Sequence, residues 1–191
     1  MNCIKQIGLV LLCLGLSSPG TALEASPIPK GLLRLEPYPA PAIELRDLDG
    51  KPYSLQQEQG AWVFVHFWAS WCRPCRDEMP AIQSMINTLQ PEGLGVAVIN
   101  TAEDEDTVFS FLSVYAPNVR PLMDRNGQTT EQWQPRGLPA TYLVDPNGQV
   151  RYQALGGRAW NTPPYLTFLR DLLSNKQRTK LLFTNASKPH Q

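Results

Sequence analysis

The sequence predicts an α/β domain, and three observations carry that reading. Trp62 to Trp68 is an almost continuously apolar run of the kind that fills a strand covered on both faces. Apolar stripes at helical spacing follow it in the order β-α-β-α. Two strand-like runs around Asp145-Pro146-Asn147-Gly148 and one more helical stripe close the domain. At 191 residues the chain holds one ordinary domain with tails. A hydrophobic content of 42% and five Trp are enough to bury a core, which excludes wholesale disorder. Lys+Arg and Asp+Glu both number 17, so no positive field gathers phosphates, and no nucleic-acid partner is expected.

Residues 1–22 read as a signal peptide: Lys5, an apolar run from Ile7 to Leu16, then small and turn-forming residues from Ser17 to Ala22, near which cleavage is expected. Ten apolar residues rise about 15 Å as a helix, half of a ~30 Å hydrocarbon core, so anchoring by an uncleaved signal is the weaker reading. The protein is expected to be exported to a periplasmic or other extracytoplasmic space. Residues 23–41 are a Pro-rich linker or an arm laid on the domain surface, since proline fixes φ and removes amide donors.

Residues 42–175 are the folded domain. Ile43 to Leu45 and Tyr53 to Leu55 flank Asp49-Gly50 and predict a short hairpin. After the Trp62 to Trp68 strand, Pro74 suits the first turn of a helix whose stripe is Met79, Ile82, Ile86 and Leu89, with Pro80 inside it as a kink. Leu94 to Ile99 is a second strand. Val108, Phe111, Leu112 and Tyr115 mark a second helix, and a short extended piece lies near Leu122. Thr141 to Val144 and Gln149 to Gln153 form a hairpin, and a last helix starting at Pro163 or Pro164 buries Tyr165, Phe168, Leu169, Leu172 and Leu173. Residues 176–191 are a polar C-terminal tail, expected to be disordered from Asn175 on.

Cleavage of the signal removes Cys3 and Cys13 and leaves Cys72 and Cys75, in a compartment where disulfides persist. In Trp71-Cys72-Arg73-Pro74-Cys75 the first cysteine lies just before a helix, among unpaired amides at the positive end of the helix dipole, which favour its thiolate. Arg73 and Arg76 add to that preference. Cys72 is therefore the expected nucleophile and Cys75, one turn inside the helix, the resolving thiol. A purely structural disulfide would close too small a loop to constrain the unfolded chain. A zinc site lacks ligands, because His66 and His190 are the chain's two imidazoles and no second cysteine pair exists; no metal is expected.

Phe67-Trp68-Ala69-Ser70-Trp71-Cys72-Arg73-Pro74-Cys75, with Pro80 five residues on, resembles the active site of the thioredoxin superfamily. Gly137-Leu138-Pro139-Ala140-Thr141-Tyr142-Leu143-Val144-Asp145 resembles the segment that carries that family's cis-proline. The hairpin, the export signal, Glu78 and the insert around Thr107 to Tyr115 are similar to the extracytoplasmic TlpA/ResA-like branch. The resemblance implies a thioredoxin fold, a central mixed sheet flanked by helices with an N-terminal hairpin, and thiol-disulfide exchange without a cofactor. It assigns Cys72 as attacker, Cys75 as resolver, Pro139 as the cis-proline and Glu78 as the acidic residue near the pair. Trp71, Arg73, Pro74 and the backbone of Leu138 are the expected substrate-binding surface.

His66 departs from the thioredoxin pattern, which has a buried aspartate there. It is either a proton handler for Cys75 or a core histidine satisfied by a backbone carbonyl. Glu78 likewise is either a functional acid or a solvated carboxylate.

The expected activity is reduction of disulfides in exported proteins, with cytochrome c maturation as one substrate system and a membrane thiol donor for re-reduction. The alternatives are a thiol oxidant or isomerase on the same fold, and a copper carrier, for which a histidine between His66 and His190 is missing. A peroxidase of the related peroxiredoxin group would need Pro and Thr or Ser where Val65 and Ala69 stand.

Overall fold

The computed structural model describes residues 26–186, with side chains through Ser174. The signal-peptide reading of residues 1–22, the start of the arm and the last residues of the tail lie outside that range. Within it the chain runs β1 (Leu33–Pro39), β2 (Glu44–Arg46), β3 (Pro52–Ser54), β4 (Val63–Trp68), α1 (Arg73–Leu89), β5 (Gly95–Thr101), α2 (Glu105–Tyr115), β6 (Pro121–Asp124), α3 (Gln128–Trp133), β7 (Ala140–Val144), β8 (Gln149–Leu155) and α4 (Pro163–Ala186). Six strands form one sheet in the order β1-β8-β7-β4-β5-β6. β4 pairs parallel with β5 and antiparallel with β7, so the sheet is mixed and the expected fold class holds.

β4 is buried at all six positions, as its composition demands. Side chains alternate across a strand, so Val63, Val65 and Phe67 enter one core with Ile43, Ile99, Trp133 and Tyr142. Phe64 and Trp68 enter the other core, where Met79, Ile82 and Met85 of α1 meet Phe168 and Leu169 of α4. His66 shares that second face and is therefore aimed at α1. This one consequence of strand period places the chemistry.

The predicted hairpin is present as β2 and β3, with Gly50 at φ 77° and Asp47 accepting hydrogen bonds from the amides of Asp49 and Lys51. It packs beside β6, joined to it by a bridge between Asp47 and Leu122 and by the Arg120–Asp49 ion pair at 3.3 Å.

Three features correct the sequence reading. The arm is not a tether throughout: Leu33–Pro39 is a strand that pairs antiparallel with β8. Pro37 and Pro39 are tolerated there because β1 is an edge strand with an irregular register between Arg34 and Tyr38. A short helix, α3, occupies a stretch to which the sequence reading assigns no element. Finally, α4 continues to Ala186, past Asn175, because residues 176–186 are rich in Lys, Gln, Arg and Leu, which favour helix even where they do not signal burial. Among the described residues no helix is long and apolar enough to cross a membrane.

Candidate active site

Cys72 and Cys75 are joined by a disulfide, with Cα atoms 5.3 Å apart. Cys72 is the N-cap of α1 and its sulfur accepts from the Cys75 amide at 3.3 Å, one of the donors a helix start leaves free. Its side is the outer one: Cys72 is 6% exposed between the exposed Trp71 (68%) and Arg73, whereas Cys75 is fully enclosed. Pro74 sits in the first turn, where its missing N–H costs nothing. The two arginines do not crowd the sulfur. Arg73 points into solvent, 4.0 Å from Asp77, and the Arg76 guanidinium lies over the Tyr115 ring.

The pairing of Ala140 with Phe67 puts the start of β7 where β4 runs out into the cysteine loop. The peptide bond entering it, Leu138–Pro139, is cis, as the resemblance implied. Leu138 is half-buried and packs against both cores.

Behind the disulfide, the two side chains expected to serve Cys75 separately meet each other. His66 on β4 and Glu78 on α1 are both buried, with Nε2 and Oε1 3.4 Å apart. The other imidazole nitrogen, Nδ1, lies 2.9 Å from Oγ1 of Thr141, its register partner on β7. The other carboxylate oxygen, Oε2, accepts from the Arg158 backbone N–H at 2.8 Å and from the Trp160 indole N–H at 3.2 Å.

Burial pushes the Glu78 carboxyl up to about 7, against the two donors that pull it down, and burial pushes the His66 imidazolium well below its ordinary range. Both shifts favour a neutral pair over a buried ion pair, whose desolvation the 3.4 Å contact would not repay. The contact is long for a hydrogen bond, and Nε2 and Oε1 have no other partner among the described residues. A single proton held between them satisfies both atoms, and a shallow groove lined by Pro74, Asp77, Gly157 and Arg158 opens onto Glu78.

Sequence reasoning did not find Thr141, Trp160, Arg158 or Glu103 as parts of this site. Thr141 was legible in principle, since it follows the cis-proline by two residues. Glu103, in the β5–α2 loop, accepts from the Ser70 amide at 2.7 Å and from the Ser70 hydroxyl, and it is itself held by the Asn100 side-chain amide at 2.7 Å. It reaches Ser70 because the preceding Ala102 turns the chain with φ 57°, a conformation uncommon outside glycine. This bridge fixes the loop that presents Trp71 and Cys72. Glu103→Ala leaves the Ser70 amide unpaired, and hydrogen exchange at Ser70 accelerates by about 10-fold or more, the loss of a charge-assisted bond of ~1.5–3 kcal/mol. An unchanged exchange rate at that amide shows that the bridge does not hold the loop.

Comparison with known proteins agrees with this geometry. The chain is 31% identical over 111 residues to the thiol-disulfide oxidoreductase ResA of Bacillus subtilis (strain 168), covering 58% of this chain and 62% of that protein. It is 32% identical over 112 residues to ResA of Geobacillus thermodenitrificans (strain NG80-2), covering 59% and 64%. The match thus spans less than two thirds of the length of these curated relatives. Among solved structures, a Chlorobium tepidum protein assigned as the thiol:disulfide interchange protein DsbE superposes with a TM-score of 0.62 at 30% identity, covering 70% of this chain and 95% of that one. A thioredoxin family thiol:disulfide interchange protein from Chlorobium tepidum TLS shares the fold, with a TM-score of 0.59 at 24% identity, covering 72% and 98%. The family model that matches, described as AhpC/TSA, runs over residues 38–153, from the end of β1 through most of β8. That span takes in the disulfide, the His66–Glu78 pair and the cis-proline on one continuous thioredoxin-like sheet, and the chain belongs to the AhpC/TSA family.

Proposed function

We propose that the protein is a thiol-disulfide oxidoreductase acting on exported, disulfide-containing proteins through Cys72 and Cys75, that it runs as a reductant, and that a membrane thiol donor recharges it. The observation that carries this reading is the disulfide at the start of α1, with Cys72 just reached by solvent (6% exposed) between exposed neighbours and Cys75 fully enclosed. In the reduced protein the Cys72 thiolate attacks a substrate disulfide, forms a mixed disulfide and releases one substrate thiolate. The Cys75 thiolate then attacks the Cys72 sulfur, which expels the second substrate thiolate and leaves the protein oxidised. Trp71, Arg73, Pro74 and the Leu138 backbone receive the substrate strand. Cys75 must lose a proton in an apolar enclosure, and the His66–Glu78 pair one turn away takes it up when Glu78 is in its carboxylate form, which burial leaves partly populated near neutral pH. Among the chain's own groups, Val65 and Ala69 argue against the peroxidase chemistry that the family name suggests.

Support for the reductant direction comes from the absence of a cation held on the Cys72 sulfur, whose one hydrogen bond among the described residues is from the Cys75 amide. Arg73 points into solvent, Arg76 lies over the Tyr115 ring and a buried acid lies behind the pair, so the reduced form gains little from charge, and a pair of that kind gives up its electrons readily. The reduction potential of the Cys72–Cys75 couple is expected nearer the roughly −270 mV of thioredoxin than the roughly −120 mV of a strong oxidant of this fold. A value near the latter makes the protein an oxidant. An oxidised Cys-x-x-Cys-His peptide, the haem-attachment motif, is the substrate that tests a role in cytochrome c maturation. The copper-carrier reading has lost ground, since both His66 nitrogens already face Thr141 and Glu78.

A further inference from the structure

We propose that the segment Pro29–Leu32, just ahead of β1, is a working part of the site: it clamps the side chain of Arg158 and so holds the loop that supplies both hydrogen-bond donors of Glu78, which makes Arg158 and Gly31 positioning residues. This rests on the reading of Glu78 as the group that moves protons for Cys75.

Arg158 works at both ends. Its backbone N–H donates to Glu78, while its guanidinium donates to three carbonyls, those of Leu155 at 2.8 Å, Gly157 at 2.8 Å and Gly31 at 3.3 Å. The last belongs to the arm. The arm is fixed there by two further contacts: the Tyr165 hydroxyl of α4 donates to the Lys30 carbonyl at 2.8 Å, and Leu32 is buried in the same apolar cluster as Cys72 and Cys75. A turn closed by the Leu32 amide on the Pro29 carbonyl bends the chain into this position.

Gly31 is required twice over. Its φ of +86° suits glycine, and a Cβ there would lie 2.6 Å from Nε of Arg158. On the opposite side of the loop, a Cβ at Gly157 would come within 3.2 Å of the Pro74 carbonyl. The loop is thus pressed between the arm and the first turn of the cysteine-bearing helix, and Trp160, which gives Glu78 its second donor, is anchored at its end by edge contact with Phe64. Displacing the arm loosens both donors together.

The titration of Glu78 reads this coupling directly. The charged and titratable groups that face it are His66 from β4, Arg158 from the loop, Tyr165 from α4, and Asp77, Cys72 and Cys75 on its own helix. Both donors stabilise the carboxylate, so loosening them raises the pH at which Glu78 ionises. In the full chain, the protonated Glu78 carboxyl is identified by the infrared band that Glu78→Gln abolishes, and its midpoint is followed in Gly31→Ala and Arg158→Ala. Each variant is expected to move the midpoint up by about one pH unit. Tyr165→Phe, which cuts the arm's other anchor and leaves Arg158 untouched, moves it in the same direction by less. Arg158→Lys keeps a cation but not the three-carbonyl clamp, and it recovers only part of the shift. A midpoint unchanged in folded Gly31→Ala and Tyr165→Phe overturns the proposal. If Glu78→Gln exchanges disulfides as fast as the parent, the proton-handling reading fails instead, and the infrared midpoint still decides whether the arm holds the loop.

Discussion

Cys75→Ala converts the protein into a trap that accumulates a mixed disulfide on Cys72, and Cys72→Ser lowers exchange on the order of 10⁴-fold or more, the scale on which removal of a covalent nucleophile acts. The asymmetry comes from the helix start. Cys72 caps α1 and takes the Cys75 amide on its sulfur, beside exposed neighbours on both sides. Cys75 is enclosed by the core cluster that also holds Trp68, Met79 and Trp160, so an incoming disulfide reaches it only through Cys72. Mass spectrometry of the reduced protein, alkylated under limiting reagent, is expected to find the label on Cys72. Equal labelling of the two thiols would overturn the assignment of roles, and a Cys72→Ser variant that still exchanged would overturn the mechanism.

Much of this site is written in local sequence. The apolar run of β4 specifies a buried strand, and its period of two puts Phe64, His66 and Trp68 on one face and so directs His66 toward the helix that follows. The spacing of Cys72 and Cys75 against Pro74 specifies a helix start, and the Leu138-Pro139 segment specifies the second wall of the site.

What escaped local reading depends on contacts across the fold. β1 is disguised by Pro37 and Pro39, which argue for a tether until a partner strand, β8, exposes an edge where missing amides do no harm. α3 has six residues and follows a glycine at φ 71°, too short to show a stripe. Glu103, Arg158 and Trp160 act from sequence distances of 33, 80 and 82 residues. Local sequence presents His66 and Glu78 as two separate groups on different elements, because only the packing of α1 on β4 brings them within 3.4 Å of each other.

That pairing has a thermodynamic signature, and removing either partner should expose it. The ordinary values are 6.5 for His66 and 4.5 for Glu78; in the fold the first is driven down and the second up to about 7. Between about pH 4.5 and 6.5 the unfolded chain carries one proton on these two groups, as imidazolium, and the folded chain also carries one, on the carboxyl. Proton numbers match, so the pair contributes no slope to stability in that window. In Glu78→Gln only the histidine remains. Its folded pKa is depressed, the unfolded chain binds the extra proton, and stability falls as pH drops below about 6.5. In His66→Leu only the carboxyl remains. Its folded pKa is raised, the folded chain holds the extra proton, and stability falls as pH rises from about 4.5 toward 7. The two variants should therefore show opposite slopes of up to ~1.4 kcal/mol per pH unit relative to the parent. Denaturant unfolding of the oxidised proteins at half-unit steps from pH 5 to 6.5, with the parent subtracted, measures both. The same variants should slow resolution of the mixed disulfide by about 10–100-fold, within or somewhat below the range of acid-base groups, and leave Cys72 alkylation nearly unchanged. Parallel stability profiles would mean that His66 and Glu78 titrate as ordinary solvated groups. Opposite slopes with unaltered resolution would mean that the pair is buried as described but that the Cys75 proton leaves by another route.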